Sequence, residues 1–273
     1  MKAIHHNIYT LALILLSASA AFAQCNTSKD YLESHYDSTR ADFSKEVYNP
    51  SSNEFKNIHN VLSNFKTFDC GPIWTDNLGQ EGVLGLDYWR IQVKIISAEK
   101  DKSDPYTYHV SGVSKYKDSL INFSGTIKMI AADMNTSDAT EIDSTIHGTV
   151  YAEYNFLQDA SALNGGILKG IETTDFMIDA KHKQLIRDTV FGVGDDDYAD
   201  DTFVGTWEKY HSAKAIKCIF GLGRLPFTFD FDKGDGDMAP NDRYRKNGWQ
   251  DYPDDEWTNA PEGTVAVKWW LKK

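Results

Sequence analysis

The sequence predicts a mainly β fold, an antiparallel β-barrel or closed sandwich with an N-terminal helical hairpin. Two observations support this prediction. Apolar residues up to Phe65 recur at helical spacing, whereas from Leu86 onward they alternate, as on one face of a strand. Turn-forming residues interrupt the alternating part at 102–105, 164–166 and 179–181. Short, closely spaced strands of this kind are typical of sandwiches and barrels.

Two helices are predicted ahead of the sheet. Residues 28–47 place Leu32, Tyr36 and Phe43 on one face of a helix. Residues 52–66 carry a second apolar stripe, which begins after a Ser-x-x-Glu capping pattern. Because neither helix has enough apolar surface to stand alone, we expect the hairpin, 24–68, to cover one end or face of the sheet.

The rest of the chain, 69–273, is predicted to form one antiparallel β domain with a long loop insertion at 211–263. Eight strands are enough to close a barrel around side chains or one small ligand. The alternation predicts strands at 86–96, 106–110, 121–129, 146–156, 167–171, 176–178, 185–190, 203–210 and 264–271.

The N-terminus has the pattern of a signal peptide, 1–23. Lys2 is followed by an apolar stretch, 8–20, and then by Ala21-Phe22-Ala23, a small-x-small cleavage pattern. We therefore expect export to the periplasm, the cell surface or the exterior. A lipid anchor on Cys25 is the alternative, and the residues before that cysteine fit it less well. Elsewhere no stretch approaches the roughly 20 apolar residues of a transmembrane helix.

The chain is acidic, with a formal net charge of −12 over 273 residues. Nucleic-acid binding requires clustered Lys and Arg facing the phosphates, so this charge argues against a nucleic-acid partner. It favours solubility and the binding of divalent cations or of neutral and cationic ligands.

Three cysteines in an exported protein allow one disulfide with one cysteine left over. Cys70 and Cys218 form the preferred pair, because both lie in segments predicted to be folded. The alternative is that all the cysteines are reduced. Their spacing does not match a structural zinc site.

A calcium site is predicted in the turn 230–237. Four carboxylates alternate with glycines there, at Asp230, Asp232, Asp235 and Asp237. Calcium takes six to eight oxygen ligands, which such a turn can supply, although the EF-hand pattern is not matched. The alternative is a solvated acidic turn.

Aromatic residues crowd the segment 202–252, which we expect to form the mouth of the barrel. Exposed aromatic rings stack on sugars or line an apolar pocket, and arginine fixes an anionic group. The predicted binders of a small apolar or glycan ligand are Trp207, Tyr210, Arg224, Tyr244 and Trp249. The alternative is that most of these rings pack in the core.

Catalytic motifs such as GxSxG and HExxH do not occur in the sequence. The predicted function is therefore an exported, non-catalytic ligand-binding or envelope-associated protein. The alternative is a secreted hydrolase that acts on glycans or lipids through a carboxylate pair in 195–256.

Gly205-Thr206-Trp207 resembles the Gly-x-Trp motif of lipocalin-like, calycin-type barrels. The resemblance implies a closed barrel in which an arginine, here Arg224, packs over Trp207. In that family the motif lies on the first strand, whereas here it falls late in the chain. The leader and the segment 207–249 resemble those of uncharacterised secreted bacterial proteins of the Bacteroidetes type, which imply no particular activity.

Overall fold

The computed structural model describes residues 60–75, 78–135, 147–188, 201–212, 214–234, 237–252 and 268–271. All of them belong to one compact unit, Ser44–Lys273. The predicted signal peptide and most of the predicted helical hairpin lie outside the described residues. The described end of that hairpin contains a short 3₁₀ helix, Leu62–Phe65. Within the described part of the chain, no helix is long and apolar enough to cross a membrane.

The described residues form nine strands of one antiparallel sheet that closes on itself. The strands are β1 (Gln80–Leu84), β2 (Trp89–Lys100), β3 (Thr107–Tyr116), β4 (Ser119–Asn135), β5 (His147–Gln158), β6 (Gly166–Asp179), β7 (Gln184–Arg187), β8 (Thr202–Lys209) and β9 (Ala215–Gly221). Strands β1 to β6 pair in sequence, β6 pairs with β8, β8 with β9, and β9 with β1. β7 pairs with the end of β6. The prediction of a mainly β, antiparallel fold is confirmed, and we call this arrangement the closed sheet.

Alternating burial along the strands shows which side chains enter the closed sheet. In β5 every second residue from Gly148 to Gln158 is buried, while the residues between them are partly or fully exposed. Successive side chains of a strand point to opposite faces, so one face of β5 lines the interior. A similar alternation in β4, β8 and β9 places Phe123, Phe203 and Phe220 inside.

Two strand predictions are wrong. The strand that joins β8 to β1 is β9, Ala215–Gly221, which lies inside the predicted loop insertion 211–263. The predicted last strand, 264–271, is described only at 268–271, where Trp269–Leu271 form a 3₁₀ helix. The sequence also did not reveal β1, because Gly82 occupies one of its inward positions and leaves no apolar side chain to detect.

The interior of the closed sheet is filled by aromatic rings in contact with one another. Phe123 stacks on Phe156 at 4.8 Å, and Phe203 stacks on Phe220 at 4.6 Å between centroids. Tyr154 meets Phe203 edge to face at 5.1 Å. Rings packed in this way contribute much of the apolar burial that stabilises a core.

A pair of glycines lets β6 and β8 approach closely at the level of Tyr154. Gly170 and Gly205 are register partners, and a Cβ on Gly205 would lie 2.7 Å from the Cα of Gly170. Tyr154 is the partner of Gly170 on the other side of β6. At the level of Tyr154, neither β6 nor β8 therefore places a side chain on the interior face.

Residues 60–75 cover one end of the closed sheet. The Val61 amide donates to the Ala132 carbonyl of β4 at 2.8 Å, and Phe65 meets Phe176 of β6 edge to face at 5.3 Å. Trp74 packs on Tyr108 of β3 at 5.1 Å. We call residues 60–75 the cover.

Candidate functional site

A group of polar side chains lies inside the closed sheet, beside the cover. Glu172 and Thr174 belong to the buried face of β6 and are fully buried. Asp201 immediately precedes β8 and is 3% exposed. Gln80, the first residue of β1, is 5% exposed. We call Gln80, Glu172, Thr174 and Asp201 the polar group.

Hydrogen bonds join the two carboxyl groups through one hydroxyl. Thr174 Oγ1 contacts both Glu172 Oε1 and, at 3.3 Å, Asp201 Oδ1. Gln80 Nε2 donates to Asp201 Oδ2 at 2.8 Å. A threonine hydroxyl has one proton to donate. It can donate that proton to either carboxyl oxygen or share it between the two in a three-centre bond.

Of the two carboxyl groups, Glu172 is the one whose surroundings favour the protonated form. Burial is the main cause that raises the pKa of Glu172 to about 8, and the negative charges of Asp201 and Asp175 act in the same direction. The Thr174 hydroxyl and the Trp74 indole act in the opposite direction and lower this pKa. Because desolvation disfavours the charged form of a carboxyl group, Glu172 is mainly protonated at neutral pH.

Several buried polar atoms around this group have no hydrogen-bond partner among the described residues. They are Glu172 Oε2, Gln80 Oε1 and Trp74 Nε1. The Trp74 indole is close enough to influence the pKa of Glu172, yet its N–H lies outside hydrogen-bonding geometry. A buried polar group without a partner costs about 1–3 kcal/mol. Each such atom is a position at which a bound polar molecule or water could form a hydrogen bond.

Two of the residues predicted to bind a ligand lie together, at strand ends away from the cover. Trp207 Nε1 donates to Gln158 Oε1 at 2.8 Å, and Gln158 Nε2 donates to Ser114 Oγ at 2.7 Å. Tyr210 Oη donates to the Gln158 carbonyl at 2.8 Å. These bonds connect β3, β5 and β8, so the polar atoms of Trp207 and Tyr210 are engaged in holding the sheet.

The other predicted ligand residues lie in the segment after β9, on the outer side of the β1–β2 turn. Tyr244 and Trp249 both pack on Phe231, at 5.9 and 4.9 Å between centroids. Trp249 is fully buried, and its Nε1 donates to the Tyr88 carbonyl at 2.7 Å. Arg224 Nε donates to Asp232 Oδ2 at 2.8 Å. The predicted residues thus form two separate sets.

Two aspartates of the predicted calcium turn, Asp230 and Asp232, have protein partners. Asp230 accepts from Arg243 Nη1 at 2.6 Å and from Tyr244 Oη at 3.0 Å. Asp232 Oδ1 accepts from the amide of Gly234 at 2.8 Å. Asp235 lies outside the described residues. In the described part of the chain, no group of three or more His, Cys, Asp or Glu residues is arranged to hold a metal. Calcium binding stays a prediction.

Replacing Asp232 separates the two interpretations of this turn. Asp232 and Arg224 have side chains only 4% and 16% exposed. We expect Asp232→Ala to lower the free energy of unfolding by about 3 kcal/mol in EDTA, because it removes the carboxylate from beside a largely buried arginine. Chemical denaturation measures this loss. If the calcium prediction holds, millimolar Ca²⁺ also raises the melting temperature of the native protein but not that of Asp232→Ala. Native-like stability of the variant in EDTA would contradict the structural role.

The predicted disulfide is wrong, because Cys70 and Cys218 are both free and buried. Cys70 lies in the cover, where its amide donates to Tyr108 Oη at 2.8 Å. Cys218 lies in β9, on the buried face of the closed sheet, where burial raises its thiol pKa. Burial also raises the pKa of Cys70 to about 11, so both residues behave as small apolar side chains.

Comparison with known proteins found no matching family, no similar curated protein and no similar solved structure. The functional argument therefore depends on the residues of this chain.

Proposed function

We propose that the protein is a non-catalytic binding protein for a small cationic molecule that presents an ammonium group to Glu172 and Asp201. The observation that carries this proposal is the buried pair of carboxyl groups, surrounded by polar atoms without partners among the described residues. The sequence-based prediction of ligand binding is kept, but the proposed site moves from the segment 202–252 to the interior of the closed sheet.

The chemistry of the polar group suits an ammonium ion. Such an ion has three N–H donors and no acceptor. Glu172 Oε2 and Gln80 Oε1 are acceptors that lack a partner in the described part of the chain. The Trp74 N–H is a donor, so a ligand with a hydroxyl beside its ammonium group would complement it as well. A bound cation also offsets the cost of ionising Glu172, because an opposite charge favours the charged form of a carboxyl group.

Burial favours binding over hydrolysis. Glu172 is fully buried and Asp201 nearly so, and the cover lies over this end of the closed sheet. A polymeric glycan cannot reach carboxyl groups in this position, whereas a small ion needs only a local opening of the cover. The alternative of a glycan hydrolase would require a carboxylate pair that faces an open cleft.

Export and a calycin-like barrel are part of the same proposal. The signal-peptide pattern at 1–23 supports export. Trp207 lies on the buried face of the closed sheet, which agrees with the calycin-like comparison, whereas Arg224, which that comparison implies would pack over Trp207, pairs with Asp232 instead. A small binding protein outside the cytoplasm would meet amines as free solutes.

The proposal is tested with 2-aminoethanol as the probe. Melting temperatures are measured in 2-aminoethanol hydrochloride, in potassium chloride of equal ionic strength, and in ethylene glycol, the neutral analogue. At tenfold excess over Kd, binding to the folded state adds about 1.4 kcal/mol, or roughly 3 °C. We expect this rise with 2-aminoethanol alone.

Two glutamine variants locate the effect. Glu172→Gln should abolish the rise, because it removes the ionisable group. Glu153→Gln should retain it, because Glu153 is exposed on the outer face of the neighbouring strand β5. No rise above potassium chloride in the native protein, or an equal rise in Glu172→Gln, would refute the proposed function.

A further inference from the structure

Two aromatic rings hold the ammonium group of Lys117 at the end of the closed sheet opposite the cover. Trp89 begins β2, Tyr116 ends β3, and Lys117 lies in the turn that follows. The cover instead packs on Tyr108, near the start of β3. Lys117 Nζ lies 4.4 Å from the ring centroid of Trp89 and 5.3 Å from that of Tyr116. An aromatic face attracts a cation within about 6 Å. We call Trp89 and Tyr116 the aromatic corner.

The aromatic corner borders solvent. Both of its rings are partly buried and pack against the core, whereas Lys117 is exposed. Tyr116 also meets Trp207 of β8, at 5.9 Å between centroids. The fold therefore fixes the two rings, while the cation over them is carried by a long, flexible side chain that solvent reaches. Displacing the Lys117 ammonium would uncover the ring faces that it occupies.

We propose that the aromatic corner is a binding site for organic cations whose nitrogen carries methyl groups, and that Lys117 is a tethered occupant which such a cation displaces. This goes beyond the proposed function, since the corner lies away from Glu172 and uses ring faces in place of carboxyl groups. The ammonium of lysine is a compact, strongly hydrated charge, so the loss of its water offsets much of the attraction to the rings. A methylated ammonium keeps the charge with weaker hydration, and aromatic faces recognise such groups. The formal net charge of −12 also favours the approach of a cation.

Lys117 and Lys183 provide a matched pair of variants. Lys117 has a φ of 54° and Lys183 a φ of 52°, and both are exposed in turns between strands. Asparagine adopts this left-handed conformation more readily than lysine does, so a change to asparagine removes the ammonium group without adding backbone strain. Lys183 lies between β6 and β7, where its carbonyl accepts from the Asp69 amide of the cover. Of the two changes, only Lys117→Asn takes an ammonium group out of the aromatic corner.

The experiment is a titration of the native protein with tetramethylammonium chloride, followed through the indole N–H resonances of ¹⁵N-labelled tryptophan. The Trp89 resonance is identified by its absence in Trp89→Phe. Sodium chloride of equal ionic strength and tert-butanol, a neutral molecule of similar shape, serve as reference titrations. We expect a saturable shift of the Trp89 resonance with tetramethylammonium alone. No saturable shift, or an equal shift with tert-butanol, would overturn the proposal.

The variants then show whether Lys117 competes for the aromatic corner. Lys117→Asn should lower the Kd for tetramethylammonium about fivefold, the factor that corresponds to about 1 kcal/mol for a cation–π contact at an exposed site. Lys183→Asn should leave this Kd unchanged. An unchanged Kd in Lys117→Asn, or an equal fall in both variants, would contradict the role of Lys117.

Glu172→Gln separates this site from the proposed function. The variant should give the native titration with tetramethylammonium, whatever the result with 2-aminoethanol. Loss of the Trp89 shift in Glu172→Gln would show that the two sites are one, and would overturn the proposal of a separate aromatic site.

Discussion

Glu172→Gln is expected to make the protein more stable than the native form at pH 8, and the difference should shrink toward pH 5. The folded-state pKa of Glu172 is raised to about 8, well above the value near 4.3 for an unfolded chain. Between these values the folded state binds more protons, so the stability of the native protein falls as pH rises. The slope approaches 1.4 kcal/mol per pH unit. We expect a difference of about 3 kcal/mol between pH 5 and pH 8.

Urea denaturation at pH 5, 6, 7 and 8 measures this effect. A glutamine side chain is not ionisable, so the Glu172→Gln variant lacks the Glu172 contribution to the slope. The matched control is Glu153→Gln on the exposed face of β5, one strand away. Its stability should run parallel to that of the native protein at every pH. A constant difference between Glu172→Gln and the native protein across this range would mean that Glu172 is ionised in both states.

Trp249→Ala is expected to destabilise the protein by about 4 kcal/mol, or to release the segment that packs around Phe231. The Trp249 ring is fully buried against Phe231, with the Arg90 guanidinium 5.3 Å from its centroid. Its indole N–H also binds the Tyr88 carbonyl. Truncation removes the packing and leaves that carbonyl without this donor. Chemical denaturation followed by circular dichroism measures the loss.

The control for this experiment is Phe229→Ala in the same segment. Phe229 is 68% exposed, so we expect a change within about 0.5 kcal/mol. If Trp249→Ala kept native stability, Trp249 would be a surface residue available to a ligand, as the sequence alone predicted. A large loss assigns it to the packing of the segment.

The sequence predicted the strands whose pairing leaves a regular apolar face. β5 is the clearest case, since Val150, Tyr154 and Phe156 alternate without interruption. β1 could not be found in this way, because its inward-facing Gly82 has no side chain. A Cβ added to Gly82 would lie 2.4 Å from the Cβ of Phe220. The need for that glycine arises from the partner strand. β9 was assigned to the predicted loop insertion 211–263, although its pairing with β1 and β8 closes the sheet.

The candidate site was missed because β6 was divided into two short strands. Ile167 and Ile171 indicated one inward face, whereas Phe176 and Ile178 indicated the other. In the structure Leu168, Glu172 and Phe176 share the inward face of one continuous strand. The sequence therefore contained the signal, because Glu172 is an acidic residue at an alternating position of β6 that buried apolar residues share. Asp201 was hidden in a different way, because it follows a run of aspartates that is typical of a solvated loop.

The pKa of Glu172 in the folded protein tests the central claim most directly. Glutamate side chains are labelled with ¹³C at the carboxyl group, and the Glu172 resonance is identified by its absence in Glu172→Gln. We expect this resonance to titrate near pH 8, and to titrate at lower pH when 2-aminoethanol is added. Titration near pH 4.3 without the probe would show that Glu172 is ionised at neutral pH, and would contradict the account of a buried, protonated carboxyl group awaiting a cation.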